Sequence, residues 1–252
     1  MRRFFIPQGP AGPGPWRLTG TEAHHARNVM RLKPGASLVL VDGQGRVHLA
    51  RLEAVDRAGL DLMILEALAS ANEPRLDLTL GTALLKADHL DLVIRAGTEL
   101  GLTAFIPIKT ERTTVRLPSD RVADRLKRWR RISEQAVKQC RRSRPVEILP
   151  LTDLAGFLAE TGPTELKIML HEGQPGRPET NWEAVFLRRP RPVRVAALVG
   201  PEGGFTEAEV DSARNAGFQI LNLGPRILRS ETAALALMAI LGGQLGDLIN
   251  FP

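Results

Sequence analysis

The chain has 252 residues, 43% of them hydrophobic and 25% charged, which excludes wholesale disorder and allows one large core or two smaller ones. One cysteine excludes an internal disulfide and a cysteine metal cluster, and five histidines show no zinc spacing, so no metal is expected. Lys and Arg total 34 against 28 Asp and Glu, a formal charge of +6, and with no signal-peptide pattern and no apolar run of about 18 residues the expectation is a cytoplasmic protein with no membrane span.

In chain order, the first 72 residues read as a small β domain. Past a start broken by proline and glycine, Thr21 can cap a short helix over EAHHARNVM (22–30), which stops near Lys33, Pro34 and Gly35. SLVLVD, the turn DGQG and RVHLARLEAV alternate with a period near two and predict a hairpin, and GLDLMILEAL predicts another strand. Short strands between glycine turns predict a five- or six-stranded antiparallel barrel. Asn72, Glu73 and Pro74 form a polar, proline-marked link, dividing the chain into residues 1–72 and 73–252.

Beyond the link, strands and helices alternate. LDLTLGTAL (76–84) reads as a buried strand, HLDLVIRAGTEL (89–100) as a helix capped by Asp88, and LTAFIPI (102–108) as the next strand. Val122, Leu126, Trp129, Ile132 and Ala136 step by three or four along residues 120–140, a helix with arginines on its other face. VEIL (146–149), LKIML (166–170), VRVAALVG (193–200) and FQILNLG (218–224) are further strands, and residues 206–216 and 231–249 are helices. This order predicts an α/β domain with a parallel sheet covered on both faces.

Charge is concentrated. Lys109 to Arg144 holds 13 basic and 4 acidic residues, so the rest of the chain carries a net −3. The segment fits a polyanion, and also a solvated arginine face in a chain with 28 Arg and 6 Lys. His24, Asn28 and Arg31 share one face of the first helix, with His25 and Arg27 beside them, a group suited to a phosphate or a base. Packing explains the histidines equally well. Cys140 has no base at a diagnostic spacing and reads as a packing residue.

Three strand ends concentrate the candidate chemistry. LVGPEGGFTEAEV (198–210) runs from a strand into Gly200, Pro201, Glu202, Gly203 and Gly204, and Thr206 with Glu209 makes a capping box. Glycines there let a ligand approach the backbone, although a tight turn alone also needs them. The spacing matches neither G-x-G-x-x-G nor the phosphate loop. LNLGPRILRSETAALAL (221–237) repeats the pattern, with Gly224, Arg226, Arg229 and Glu231 at the mouth of a helix. His171 and Glu172 stand where LKIML ends.

GPEGGFT (200–206) and LGPRILRSETA (223–233), taken as a pair, resemble the bacterial ribosomal RNA small subunit methyltransferase E family, a member of the knotted SPOUT class. HHARNVMRLKPG (24–35), LVIRAGTELGLTAFIPIKTERT (92–113) and RWRRISEQAVKQCRRSRPVEI (128–148) extend the likeness in the family's order over most of the chain. The chain departs from the family at a proline–glycine insertion (9–15) and at Lys138, where an acidic residue is common.

The resemblance implies a PUA-like β-barrel over 1–72 and, over 73–252, a SPOUT α/β domain tied in a deep trefoil knot. It implies a homodimer that transfers a methyl group from S-adenosyl-L-methionine to N3 of one uridine in the decoding region of 16S rRNA, within the small ribosomal subunit. The cofactor is then expected against Leu170, His171, Leu198, Val199, Gly200 and Glu202 and against Gly203, Gly204, Leu223, Gly224, Ile227 and Leu228. RNA is expected at His25, Arg27, Asn28, Arg31, Arg112, Arg141, Arg142 and Arg144. Arg229 is expected to stabilise charge on the uracil, with Glu231 or Glu202 orienting it or accepting a proton. Two other readings share these features: a ribose 2′-O-methyltransferase of the same class and a non-catalytic RNA-binding assembly factor.

Overall fold

The computed structural model of the protein describes residues 2–6, 8–70, 72–86, 88–172, 181–187 and 191–249. The chain divides into two units, Met1–Glu73 with Glu134–Pro145, and Pro74–Ser133 with Val146–Pro252.

In the first unit β1 (Arg2–Phe5), β2 (Gly14–Thr19), β3 (Ser37–Val41), β4 (Val47–Val55) and β5 (Gly59–Leu68) form a sheet in the order β1-β3-β4-β5-β2. β1 runs parallel to β3 and the other pairs are antiparallel. The sheet is therefore mixed where the pattern predicts an antiparallel set, because the four residues of β1 are too few to show alternation. Strand alternation sorts β3 between two apolar clusters: Leu38 and Leu40 pack with Phe4, Leu52 and Leu60, while Val39 and Val41 pack with Phe5 and Val47. The expected first helix is two short pieces, α1 (Gly20–His24) and a π-helical turn (His25–Val29), whose Ala23 and Ala26 join the first cluster.

Val137 completes the second cluster. Lys138 Nζ lies 2.8 Å from Glu22 Oε1. Glu73 accepts the backbone N–H of Ser143 at 2.5 Å and of Arg144 at 3.0 Å, and the buried Arg142 guanidinium at 3.3 Å. These contacts explain why residues 134–145 group with the first unit.

The second unit holds β6 (Asp77–Ala83), β7 (Ala104–Lys109), β8 (Glu147–Ile148), β9 (Thr152–Asp153), β10 (Leu166–Leu170), β11 (Arg194–Val199) and β12 (Gln219–Leu221). Their order is β12-β10-β11-β6-β7-β8, with β9 beside β7, and all pairs are parallel. The helices are α2 (His89–Glu99), α3 (Ser119–Cys140), α4 (Leu154–Glu160), α5 (Trp182–Phe186), α6 (Glu207–Asn215) and α7 (Ser230–Gln244). Alternate strand residues divide between two cores. Val195, Ala197 and Val199 of β11 pack with α2, α3, α5 and α7, whereas Ala196 and Leu198 pack with α4 and α6. Asp88 makes no side-chain cap on α2. Its neighbour Asp91 is buried instead, and takes hydrogen bonds from Arg128 Nε (2.8 Å) and Trp129 Nε1 (3.1 Å), tying α2 to α3. Among the described residues no helix is long and apolar enough to cross a membrane.

A Cβ at Gly81, in the middle of β6, would sit 2.4 Å from the fully buried Phe157 ring of α4. Gly81→Val is expected to destabilise the protein by about 1–3 kcal/mol through overpacking. Gly12→Ala, where nothing stands within 4 Å, is expected to stay within about 0.5 kcal/mol of wild type. Urea unfolding of the two variants measures both.

Candidate active site

Parallel strands bring their carboxyl ends to one edge of the sheet, where α/β domains bind ligands. In the second unit a crevice of about 540 Å³ lies at the ends of β10, β11 and β12, a volume typical of small-molecule sites. Leu170, His171 and Glu172 contribute from β10. His171 N–H donates to Leu221 O at 2.9 Å, which carries the β10–β12 pairing to the rim.

The loop after β11 is fixed by its own sequence. Gly204 N–H donates to Pro201 O at 2.9 Å, with Gly204 at φ +68, a conformation that favours glycine. Thr206 and Glu209 then make the expected capping box at the start of α6. A second loop, between β7 and α3, braces this one. Glu209 Oε1 accepts Glu111 N–H at 2.8 Å, and Thr206 Oγ1 donates to Glu111 Oε2 at 3.2 Å. Arg112 Nη1 donates to Gly203 O at 3.1 Å and to Phe205 O at 3.2 Å. After β12, Gly224 (φ +90) donates to Asn222 Oδ1 at 3.2 Å, and Trp182 Nε1 holds Asn222 O at 2.7 Å. Ile227 then stands at the rim with 78% of its surface exposed.

The crevice wall combines uncommitted backbone N–H groups with apolar side chains. The N–H groups of Gly200, Gly203, Leu223 and Leu228 donate to no acceptor among the described residues. Apolar side chains of Leu170, Val199 and Ile227 lie between them, and Arg112, His171, Glu172 and Arg226 also stand on the wall.

Ten of the twelve residues expected at the cofactor line this crevice: Leu170, His171, Val199, Gly200, Gly203, Gly204, Leu223, Gly224, Ile227 and Leu228. Leu198 does not, because the period of two turns it to the opposite face of the sheet, fully buried with Phe205 and Phe218. Glu202 is exposed outside the lining, its Oε1 3.5 Å from Lys86 N. Arg229 is the exposed N-cap of α7, also outside the lining, and its carbonyl accepts Ala233 N–H at 2.8 Å. Glu231 is buried in the first turn of α7 with Oε2 3.4 Å from His89 Nδ1 of α2, so it faces a helix and not the crevice. Pro201, Asn222 and Pro225 also line the wall from within the expected strand-end loops, whereas Phe205, Ser230 and Ala233 line it from beyond them and were not expected there.

The expected RNA residues also separate. Arg112 belongs to the crevice. Arg142 is buried in its pair with Glu73, which removes it from solvent. Arg27 is half-buried and held by its neighbours, with Nη1 on Asp56 O (2.8 Å) and Arg57 O (2.6 Å) and Nε on Asn28 Oδ1 (3.0 Å). Asn28, Arg31, Arg141 and Arg144 are exposed and His25 is half-buried, with Arg144 Nε also on Gln44 O at 3.3 Å. The shared helical face of His24, Asn28 and Arg31 is lost, because Met30 N–H bonds His25 O in an i to i+5 turn.

Residues 72–242 match an RNA methyltransferase domain family, and residues 18–65 match an RNA methyltransferase PUA domain. The chain is 30% identical over 245 residues to ribosomal RNA small subunit methyltransferase E of Bacillus subtilis, covering 95% of this chain and 96% of that one. The Synechocystis protein of the same name is 35% identical over 230 residues, covering 90% and 73%. Among solved structures, the Neisseria gonorrhoeae protein of that name, bound to S-adenosyl methionine, superposes with a TM-score of 0.88 at 32% identity, covering 98% of this chain and 99% of that one.

A β-branched side chain at a positive φ is strained, so Gly204→Val and Gly224→Val are each expected to cost about 1–3 kcal/mol. Gly203 has no such φ, and a Cβ there meets Arg112 Cβ at an ordinary 3.4 Å. Gly203→Ala is therefore expected to cost less than about 1 kcal/mol. Denaturant midpoints of the three variants check the ordering.

Proposed function

Since the chain belongs to the ribosomal RNA small subunit methyltransferase E family, we propose that it transfers a methyl group from S-adenosyl-L-methionine to N3 of a uridine in the decoding region of 16S rRNA. The observation that carries this reading is the crevice wall: uncommitted backbone N–H groups at Gly200, Gly203, Leu223 and Leu228 interleaved with apolar side chains. Such a wall fits a cofactor whose adenine edge is read by main-chain groups while its ring is covered by apolar ones. Gly200, Gly203, Leu223 and Leu228 would hold that edge, and Val199 and Ile227 would cover the ring. When bound, the cofactor supplies an electrophilic methyl group.

The chain's own task lies at the base. Uracil N3 carries a proton and is a poor nucleophile, so the protein has to favour loss of that proton and stabilise the charge that spreads to O2 and O4. A target in folded RNA must leave its stack to reach the crevice. We assign phosphate contacts to the exposed Arg31, Arg141 and Arg144 of the first unit and to Arg116, Arg121, Lys127 and Arg131 of the second. On this reading the first unit is the family's PUA-like barrel and the second its knotted domain. The protein works as a homodimer on the small ribosomal subunit in the cytoplasm.

The test is nucleoside mass spectrometry of small-subunit RNA lacking the modification, before and after incubation with protein and S-adenosyl-L-methionine. N3-methyluridine is the expected product. A ribose-methylated nucleoside would replace the reaction with 2′-O transfer. No methylation and no calorimetric heat on adding the cofactor would leave an RNA binder.

A further inference from the structure

We propose that Arg112 is a catalytic residue, the group that stabilises negative charge on the uracil oxygens during transfer. The inference rests on the uridine-N3 reading above. Arg229, the guanidinium expected for this role, lies outside the crevice lining, whereas Arg112 and Arg226 are on it. The two differ in how firmly they are held. Arg226 follows Pro225 in an exposed loop and makes no hydrogen bond among the described residues. Arg112 is anchored through one nitrogen, Nη1, on Gly203 O at 3.1 Å and Phe205 O at 3.2 Å.

Its backbone is fixed as well. Glu111 N–H is held by Glu209 Oε1 at 2.8 Å, Thr110 N–H by Thr113 Oγ1 at 2.9 Å, and Thr113 N–H by Thr110 O at 3.1 Å. Nε and Nη2 make no hydrogen bond among the described residues. A guanidinium held by one nitrogen, with its other N–H groups uncommitted beside a cofactor-sized crevice, is a preorganised site for developing negative charge. Because it is held in place before the base arrives, little reorganisation remains at the moment of reaction.

The chemistry balances without a proton on Arg112 moving. Uracil N3 gives its proton to water, the N3 lone pair forms the new N–C bond, and the electrons of the broken S–C bond remain on sulfur. Arg112 stays protonated throughout, as its high pKa requires.

The test compares wild type with Arg112→Ala and Arg112→Lys. Three quantities are measured: calorimetric affinity for S-adenosyl-L-methionine, thermal midpoint, and single-turnover methyl transfer to small subunits between about pH 6 and 9. Arg112→Ala is expected to slow transfer by about 100-fold, the usual effect of removing an oxyanion donor, with cofactor affinity held within about threefold. The rise of its rate with pH should move to higher pH, because the uracil anion has lost a partner. Arg112→Lys should recover part of the rate, keeping the charge without the planar fork.

Affinity and rate falling together with an unmoved pH profile would overturn the proposal and make Arg112 a brace for the glycine loop. A wild-type rate in either variant would overturn it too. Should Arg112→Ala fail to fold, Arg112→Lys decides alone, since it keeps a donor for the two carbonyls. A slowed rate with a displaced pH profile supports the role and an unmoved profile removes it. The wild-type digest separates the two levels: a product other than N3-methyluridine overturns the proposed function and this role together. An N3 product with a pH-insensitive variant overturns this role only.

Discussion

Three parallel strands, β12, β10 and β11, lie side by side, and most of the crevice wall depends on that adjacency. Parallel pairing gathers their carboxyl ends on one edge, so the three loops that follow must share the same small space. It also requires helices on both faces, because the strands between them are apolar on both sides. The period of two then decides which side chain of β11 is available. Val199 reaches the crevice wall while Leu198, its neighbour, is spent on the core beneath α4 and α6.

The loops themselves are held by hydrogen bonds between polar groups of the chain. Thr206, Glu209 and Glu111 form a hydrogen-bonded brace, and Arg112 closes it onto two carbonyls of the glycine loop. Glu231 sits against His89 where α7 meets α2. A carboxylate at a helix N-terminus is favourable on dipole grounds, which makes this a structural position as well as a suggestive one. The same holds for much of the basic segment. Arg128 is committed to Asp91, Lys138 to Glu22 and Arg142 to Glu73. Net charge over 109–144 therefore overstates what is free to meet a polyanion.

Much of this was legible in the sequence. The glycine runs at 200–204 and at 224, followed by helix starts, marked two of the three loops, and the capping box at Thr206 and Glu209 stands as the residues imply. Long apolar runs located β6, β10 and β11 to within a residue or two. What stayed hidden was long-range or too short to show a period. Arg112 meets Gly203 across 91 residues, and nothing local distinguishes it from the other arginines of its segment. Glu73 reads as a linker residue until Ser143 and Arg144 arrive at its carboxylate. The π-helical turn at His25–Val29 changes the helical phase without any signature in composition.

On the proposed function, the backbone of two loops holds the ligand. Hydrogen–deuterium exchange at the amides of Gly200, Gly203, Leu223 and Leu228, with and without saturating S-adenosyl-L-methionine, tests it most directly. Slowing of at least about tenfold is expected at amides in both loops, because ligand contacts would replace water there. Unchanged exchange in both loops while calorimetry shows the cofactor bound, or slowing confined to the first unit, would contradict it.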